Sequence, residues 1–199
     1  ASDVRITKCL LYSSSTGLRV SSGCEHIHIG HLDLDSISYL GMQIDSCHDI
    51  SIPDFICFYN DAEPGTAYDS GYAIMVGEFS GTPNEVTGLN INGRVINTGK
   101  TDNVLGTALK VSNIKNSSIT LAADNSKILT GNAHRIVQAV EYGTGVDASV
   151  LIEGNFSSTL TPTSGTVAGG LRYWNGSAFI SEPAITSCVR VNTSNGAGS

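Results

Sequence analysis

Two aspartates, Asp33 and Asp35, alternate with Leu32 and Leu34 in one short run of the chain. If that run is a strand, the leucines face one way and both carboxylates the other, about 6.5–7 Å apart at the Cα level. Glycoside hydrolysis needs such a pair, roughly 5 Å apart for retention and up to about 9.5 Å for inversion. Asp33 and Asp35 are therefore the candidate catalytic pair. They belong to a wider acidic group with Asp45, Asp49, Asp54, Asp61, Glu63, Asp69 and Glu78. Solvated aspartates beside turns look the same in a sequence, and no catalytic motif marks one pair, so the residues alone do not establish an enzyme.

A second set of residues suits sugar binding without chemistry. Arg19, Gln43, Met75, Lys110, Gln138 and Arg172 occupy matching places in short apolar runs. Polar side chains stacked on a rigid sheet could contact successive sugars, although any exposed strand face is polar. The insertion Asn60-Asp61-Ala62-Glu63-Pro64-Gly65-Thr66-Ala67-Tyr68-Asp69 is the largest polar excursion. Tyr59 just before it and Tyr68 within it could stack on sugar faces, as loop aromatics on stiff scaffolds do. The glycan-binding candidates are thus Arg19, Gln43, Tyr59, Tyr68, Lys110 and Gln138.

His26, His28, His31 and His48 give no recognised zinc spacing. By simple alternation His26 and His28 share one side, His31 takes the other, and His48 sits in a turn after Cys47. No metal and no cofactor is expected. The five cysteines are odd in number and include no C-x-x-C pair. They read as small buried thiols, three of them at corresponding places in a repeat.

That repeat is what must position these side chains. Val20-Ser21-Ser22-Gly23-Cys24-Glu25-His26-Ile27-His28-Ile29 matches Ile44-Asp45-Ser46-Cys47-His48-Asp49-Ile50-Ser51-Ile52. The common pattern is a strand end, a small polar turn, a cysteine and Ile-x-Ile. It returns around Val111-Ser112-Asn113-Ile114 and Ile119-Thr120-Leu121, and Val4 to Cys9 fits its second half. Glycines at 17, 41, 71 and 106 stand 24, 30 and 35 residues apart, as in a solenoid with loops of unequal length. A period of two places Ile27, Ile29, Ile50, Ile52, Ile119 and Leu121 inward, with His28, Ser51 and Thr120 outward. Residues 132–142 could form a helix or a strand, the repeat favouring a strand. An antiparallel sandwich also uses many short strands, but it does not require this recurrence.

Composition narrows the partners. Only 15% of the 199 residues are charged, and the net charge is −7. Nucleic-acid binding needs a concentrated basic patch, so it is not expected. No apolar run approaches the roughly 18 residues of a membrane span, and no basic-plus-apolar leader opens the sequence, so a soluble domain without membrane insertion is expected. After Phe156 the chain turns rich in Ser, Thr and Gly, dividing it into 1–156 and 157–199. In the second part, Leu171-Arg172-Tyr173-Trp174 and Ala178-Phe179 flank Asn175-Gly176, a hairpin signal, and the last residues read as a frayed tail.

The repeat unit resembles the right-handed parallel β-helix of pectate lyases, polysaccharide epimerases and bacteriophage tailspikes, over roughly residues 3 to 156. Tyr173-Trp174-Asn175-Gly176 is similar to hairpins of phage tail and tail-fibre proteins. The resemblance implies an all-β fold, a right-handed parallel β-helix followed by a small C-terminal β segment. It implies a phage tailspike, tail fibre or neck appendage: an extracellular virion protein, homotrimeric, that binds capsule or lipopolysaccharide glycan of a bacterial host. A polysaccharide depolymerase of the same fold, hydrolase or lyase, is the alternative, and a bacterial surface adhesin a third. Residues 157–199, with Leu171, Tyr173, Trp174, Phe179 and Ile180 close together, are expected to help hold the trimer.

Overall fold

A computed structural model describes residues 2–21, 23–59, 72–79, 82–83, 85–97, 107–124, 138–143, 145–147, 149–156, 161–164, 171–174, 179–182 and 189–192. Among them there is no helix. The first pass of the chain contains β1 (Ser2–Ile6), β2 (Cys9–Tyr12) and β3 (Thr16–Val20). The second contains β4 (Cys24–Ile29), β5 (Leu32–Ile37) and β6 (Leu40–Ile44). In the third, one long strand, β7 (Cys47–Tyr59), takes the first two positions, and β8 (Tyr72–Val76) takes the last. A short antiparallel pair, β9 (Glu78–Phe79) and β10 (Thr82–Pro83), leads to β11 (Val86–Thr87), β12 (Asn90–Asn97) and β13 (Thr107–Val111). The fifth pass has β14 (Ile114–Lys115), β15 (Ser118–Asp124) and β16 (Gln138–Tyr142), and a sixth has β17 (Leu151–Phe156) and β18 (Thr161–Ser164). Last come β19 (Leu171–Trp174), β20 (Phe179–Glu182) and β21 (Val189–Asn192).

Apart from the antiparallel pairs β9–β10 and β19–β20, the strands pair in parallel with equivalent strands of neighbouring passes. One sheet carries β1, β4, β7, β12, β15 and β17 in order, with β2 and β5 beside the second half of β7. The other carries β3, β6, β8, β13, β16 and β18. Both continue past Phe156, because β18 pairs with β16 and β21 with β17. β21 is followed in the sheet by β19, and β20 pairs antiparallel with β19; residues 175–178 between them lie outside the described residues.

The register explains the apolar alternation. Val4 lies beside Ile27, and Ile27 beside Ile50, a step of 23 residues each time. Ile52, Ile91, Ile119 and Ile152 form one continuous column, each fully or almost fully buried. Leu18, Met42, Ile74, Leu109 and Val140 form the facing column on the other sheet. The two sets belong to a single core. One pass alone could not bury its apolar face, and stacking supplies the cover.

The small polar residues of the repeat mark where the backbone bends. Asp3, His26 and Asp49 stand at matching positions with φ of 54°, 53° and 54°, and Gly88 and Asn116 continue the column at 69° and 49°. Gly23 and Ser46, then Asn113 and Gly145, make a second left-handed column just before the inward Cys24, Cys47, Ile114 and Val146. Gly, Asn, Asp and His are the types that tolerate this conformation best. His26 also lies between two acids, 3.5 Å from Asp3 and 3.4 Å from Asp49.

The cysteine pattern needs a correction. Cys9, Cys24, Cys47 and Cys57 are free thiols, and Cys188 lies outside the described residues. Only Cys24 and Cys47 share a column; Cys9 is beside Leu32 and Cys57 beside Leu34. Cys47 and Cys57 are fully buried, whereas Cys24 is half-buried and donates to the Ser21 carbonyl at 2.9 Å.

The strand β6 is buried on both faces, Gln43 included at 5% exposure. Gln43 Nε2 donates to Asp45 Oδ2 at 3.4 Å. Burial raises the Asp45 pKa, with the Arg19 charge opposing. Such a carboxyl favours folding when protonated, and that contribution is lost as pH rises through its folded-state titration. Asp45→Asn is therefore expected to gain stability relative to wild type as pH rises from below the ordinary carboxylate range to neutrality. Urea unfolding of both proteins across that range checks the sign; a constant difference would contradict it.

Candidate functional site

The candidate site is a groove of about 650 Å³ on the outer face of the larger sheet, crossing β5, β7 and β12. His31, Asp33, Asp54, Phe58, Asn92 and Arg94 supply its functional groups. Asp33 faces outward because its neighbours Leu32 and Leu34 are fully buried in the core. It stands in register with Ile56, and Ile56 with Arg94. Asp54 reaches the groove through an irregularity. Between Ile52 and Phe55 the chain takes three steps, while β12 takes two between Ile91 and Gly93, so Pro53 and Asp54 together oppose Asn92. Phe55 meets Gly93, where a Cβ would collide with the Phe55 ring and carbonyl.

His31 sits at the bend between β4 and β5, tied to the first pass by Cys9 N–H to the His31 carbonyl at 2.9 Å and His31 N–H to the Thr7 carbonyl at 3.1 Å. Its Nδ1 lies 2.6 Å from Asp54 Oδ2. With an Nδ1 proton donated to that carboxylate, Nε2 is left as the ring's second polar atom. Asp33 Oδ1 is shielded from solvent and has no hydrogen-bond partner among the described residues. Arg94 is exposed and makes no ion pair among the described residues. The groove thus combines a carboxylate, an exposed cation, an amide, an oriented imidazole and an aromatic ring. These are groups that hold a polar ring compound with apolar faces.

Of the expected catalytic pair, only Asp33 lines this groove. Asp35 is beside Tyr12 and accepts Ser36 Oγ–H at 3.1 Å. Asp54 is the carboxylate that shares the groove with Asp33: it is on the adjacent strand and offset by two residues, about 8 Å away at the Cα level. Simple alternation also misplaces His31. The bend at Gly30 and His31 resets the alternation, so His31 joins the outward side.

The expected glycan-contact column lies on the other sheet. Arg19, Gln43, Met75 and Lys110 are in register there. Gln43 is buried and so is not an accessible contact. Lys110 is engaged, its Nζ 3.4 Å from Glu141 and 4.9 Å from the centre of the Tyr72 ring, while Tyr72 O–H donates to Glu141 at 3.0 Å. Burial, then the Glu141 contact, raises the Tyr72 pKa. Glu141, not Gln138, continues the column beside Lys110; Gln138 stands beside Thr107, and its side chain lies outside the described residues. Arg172 is on the larger sheet. Tyr59 ends β7 beside Asn97 with its side chain outside the described residues, as all of Tyr68 is.

Among the described residues no group of three or more His, Cys, Asp or Glu side chains is placed to hold a metal ion. Among them, too, no helix is long and apolar enough to cross a membrane. No protein-family model, curated protein or solved structure matches the chain.

Proposed function

We propose that this chain is a glycan-adhesion fragment of a phage tailspike or tail fibre, its passes winding as a right-handed parallel β-helix. The observation that carries the reading is the groove. A rigid sheet presents Asp33, Asn92, Arg94 and Phe58 together along one groove, with the Arg94 cation exposed. The repeated 23-residue step of the first passes along the larger sheet and the two left-handed columns support the winding. The partner on this reading is capsule or lipopolysaccharide glycan, met outside the host cell by the virion. Binding to immobilised bacterial capsule and lipopolysaccharide is the test. Asp33→Asn together with Asn92→Ala should weaken retention about tenfold or more while leaving the melting temperature nearly unchanged. Unchanged retention would place the site elsewhere.

Depolymerisation is the second reading, favoured by the Asp33–Asp54 offset and the His31 imidazole beside it. The Cα offset of about 8 Å is compatible with the wider spacing of inverting hydrolases. New reducing ends after incubation with the bound glycan would indicate hydrolysis, and unsaturated sugar would indicate a lyase. Neither product would leave adhesion alone.

The assembly on this reading is a homotrimer in which residues 157–199 take part. Light scattering on the intact chain should give three times the 20.8 kDa of one chain. A mass of one chain would overturn the trimer.

A further inference from the structure

We infer that the glycan this groove selects carries a carboxylate, with the sugar acid bridging Arg94 and Asp33; the inference rests on the adhesion reading above. The two residues occupy one outward column, separated by Ile56. Two strand spacings put their Cα atoms about 9–10 Å apart. Asp54 already has a partner within the groove, since His31 Nδ1 lies 2.6 Å from its Oδ2. What remains is an acceptor and a donor. Asp33 lines the groove, and Arg94 lacks an acid among the described residues.

A ligand between them must bring a hydroxyl to Asp33 and an anion to Arg94. A neutral sugar meets only the first need. A sugar acid meets both, because its ring hydroxyls donate while its carboxylate accepts two parallel bonds from the guanidinium fork. A phosphate dianion also fits the fork. It would carry a larger charge past Asp33 and Asp54 on a chain whose net charge is already −7, which disfavours it relative to a monoanion.

The test uses immobilised capsular polysaccharides rich in uronic acid, each native and after chemical reduction of its carboxyls to alcohols. Wild type should bind the native polymers and lose about tenfold or more in affinity on reduction. Arg94→Gln should bind native and reduced polymers alike, and Arg94→Lys should keep part of the preference, since it restores the charge but not the fork. Equal binding of wild type to native and reduced polymers would overturn the inference and leave the adhesion reading standing. So would an Arg94→Gln variant that still prefers the native form. Binding that survives carboxyl reduction but falls on dephosphorylation would assign Arg94 to a phosphate instead. If wild type binds these polymers in neither form, nor any neutral capsule or lipopolysaccharide, the adhesion reading itself fails and this inference with it.

Discussion

Raising the pH from 9.0 to about 12 is expected to cost the fold up to about 4 kcal/mol for each of two thiols, Cys47 and Cys57. Burial pushes both from an ordinary 9.0 to about 12, with the Asp45 and Cys24 charges adding to the effect at Cys47. The loss corresponds to about 1.4 kcal/mol for each pH unit between those two values. The sign follows from which form the core accepts. The neutral thiol is favoured in the folded state, so its contribution is complete below the unfolded value and disappears as pH rises through the folded one. Other groups titrate in the same range, so the readout is a comparison. Urea unfolding from about pH 8 to about pH 11 should show a steeper loss in wild type than in Cys47→Ala or Cys57→Ala. Parallel slopes would mean that the thiols ionise in the folded state without penalty.

Gly93→Ala is expected to cost roughly 3 kcal/mol, the upper part of the range for overpacking a filled interior. The reason is steric. Phe55 is fully buried at the point where β7 meets Gly93, and a new methyl would overlap both its ring and its carbonyl. Gly23→Ala is the useful contrast. Its φ of 73° carries strain, yet nothing lies within 4 Å of the added carbon. About 1–2 kcal/mol is expected there. Denaturant midpoints of the two variants separate the causes. If Gly23→Ala is as damaging as Gly93→Ala, crowding against Phe55 costs no more than backbone strain does.

The core was legible in the sequence because alternation is a local property. Ile27, Ile29, Ile50, Ile52, Ile119 and Leu121 are buried as their spacing predicts, while His28 and Thr120 are exposed. The strands were legible too, as was the match of Arg19, Gln43, Met75 and Lys110, because small turn residues of recurring type punctuate each pass. The site was not, for three physical reasons. Bends reset the alternation, which hid His31 beside Gly30 and Asp54 beside Pro53. Register across strands depends on the length of the intervening chain, so Arg94 carried no sign that it would stand two strands from Asp33. The same uncertainty put Gln138 where Glu141 belongs. Finally, alternation gives the direction of a side chain but not what covers it, and Gln43 is buried on a face that the pattern left open.

The matching bends have a consequence for how such a chain can change in length. Gly23 and Ser46 are equivalent, so a chain lacking residues 24–46 would join two equivalent points. Val4 would then face Ile50, and Leu18 would face Ile74, with each apolar column one member shorter and otherwise intact. A deletion that joins points that are not equivalent would turn inward residues outward or break both columns of bends. Such a molecule therefore shortens or lengthens in whole passes. Here the excised pass would also remove His26 from between Asp3 and Asp49, setting two acids side by side. It would take His31 and Asp33 with it, leaving a shorter scaffold without its groove.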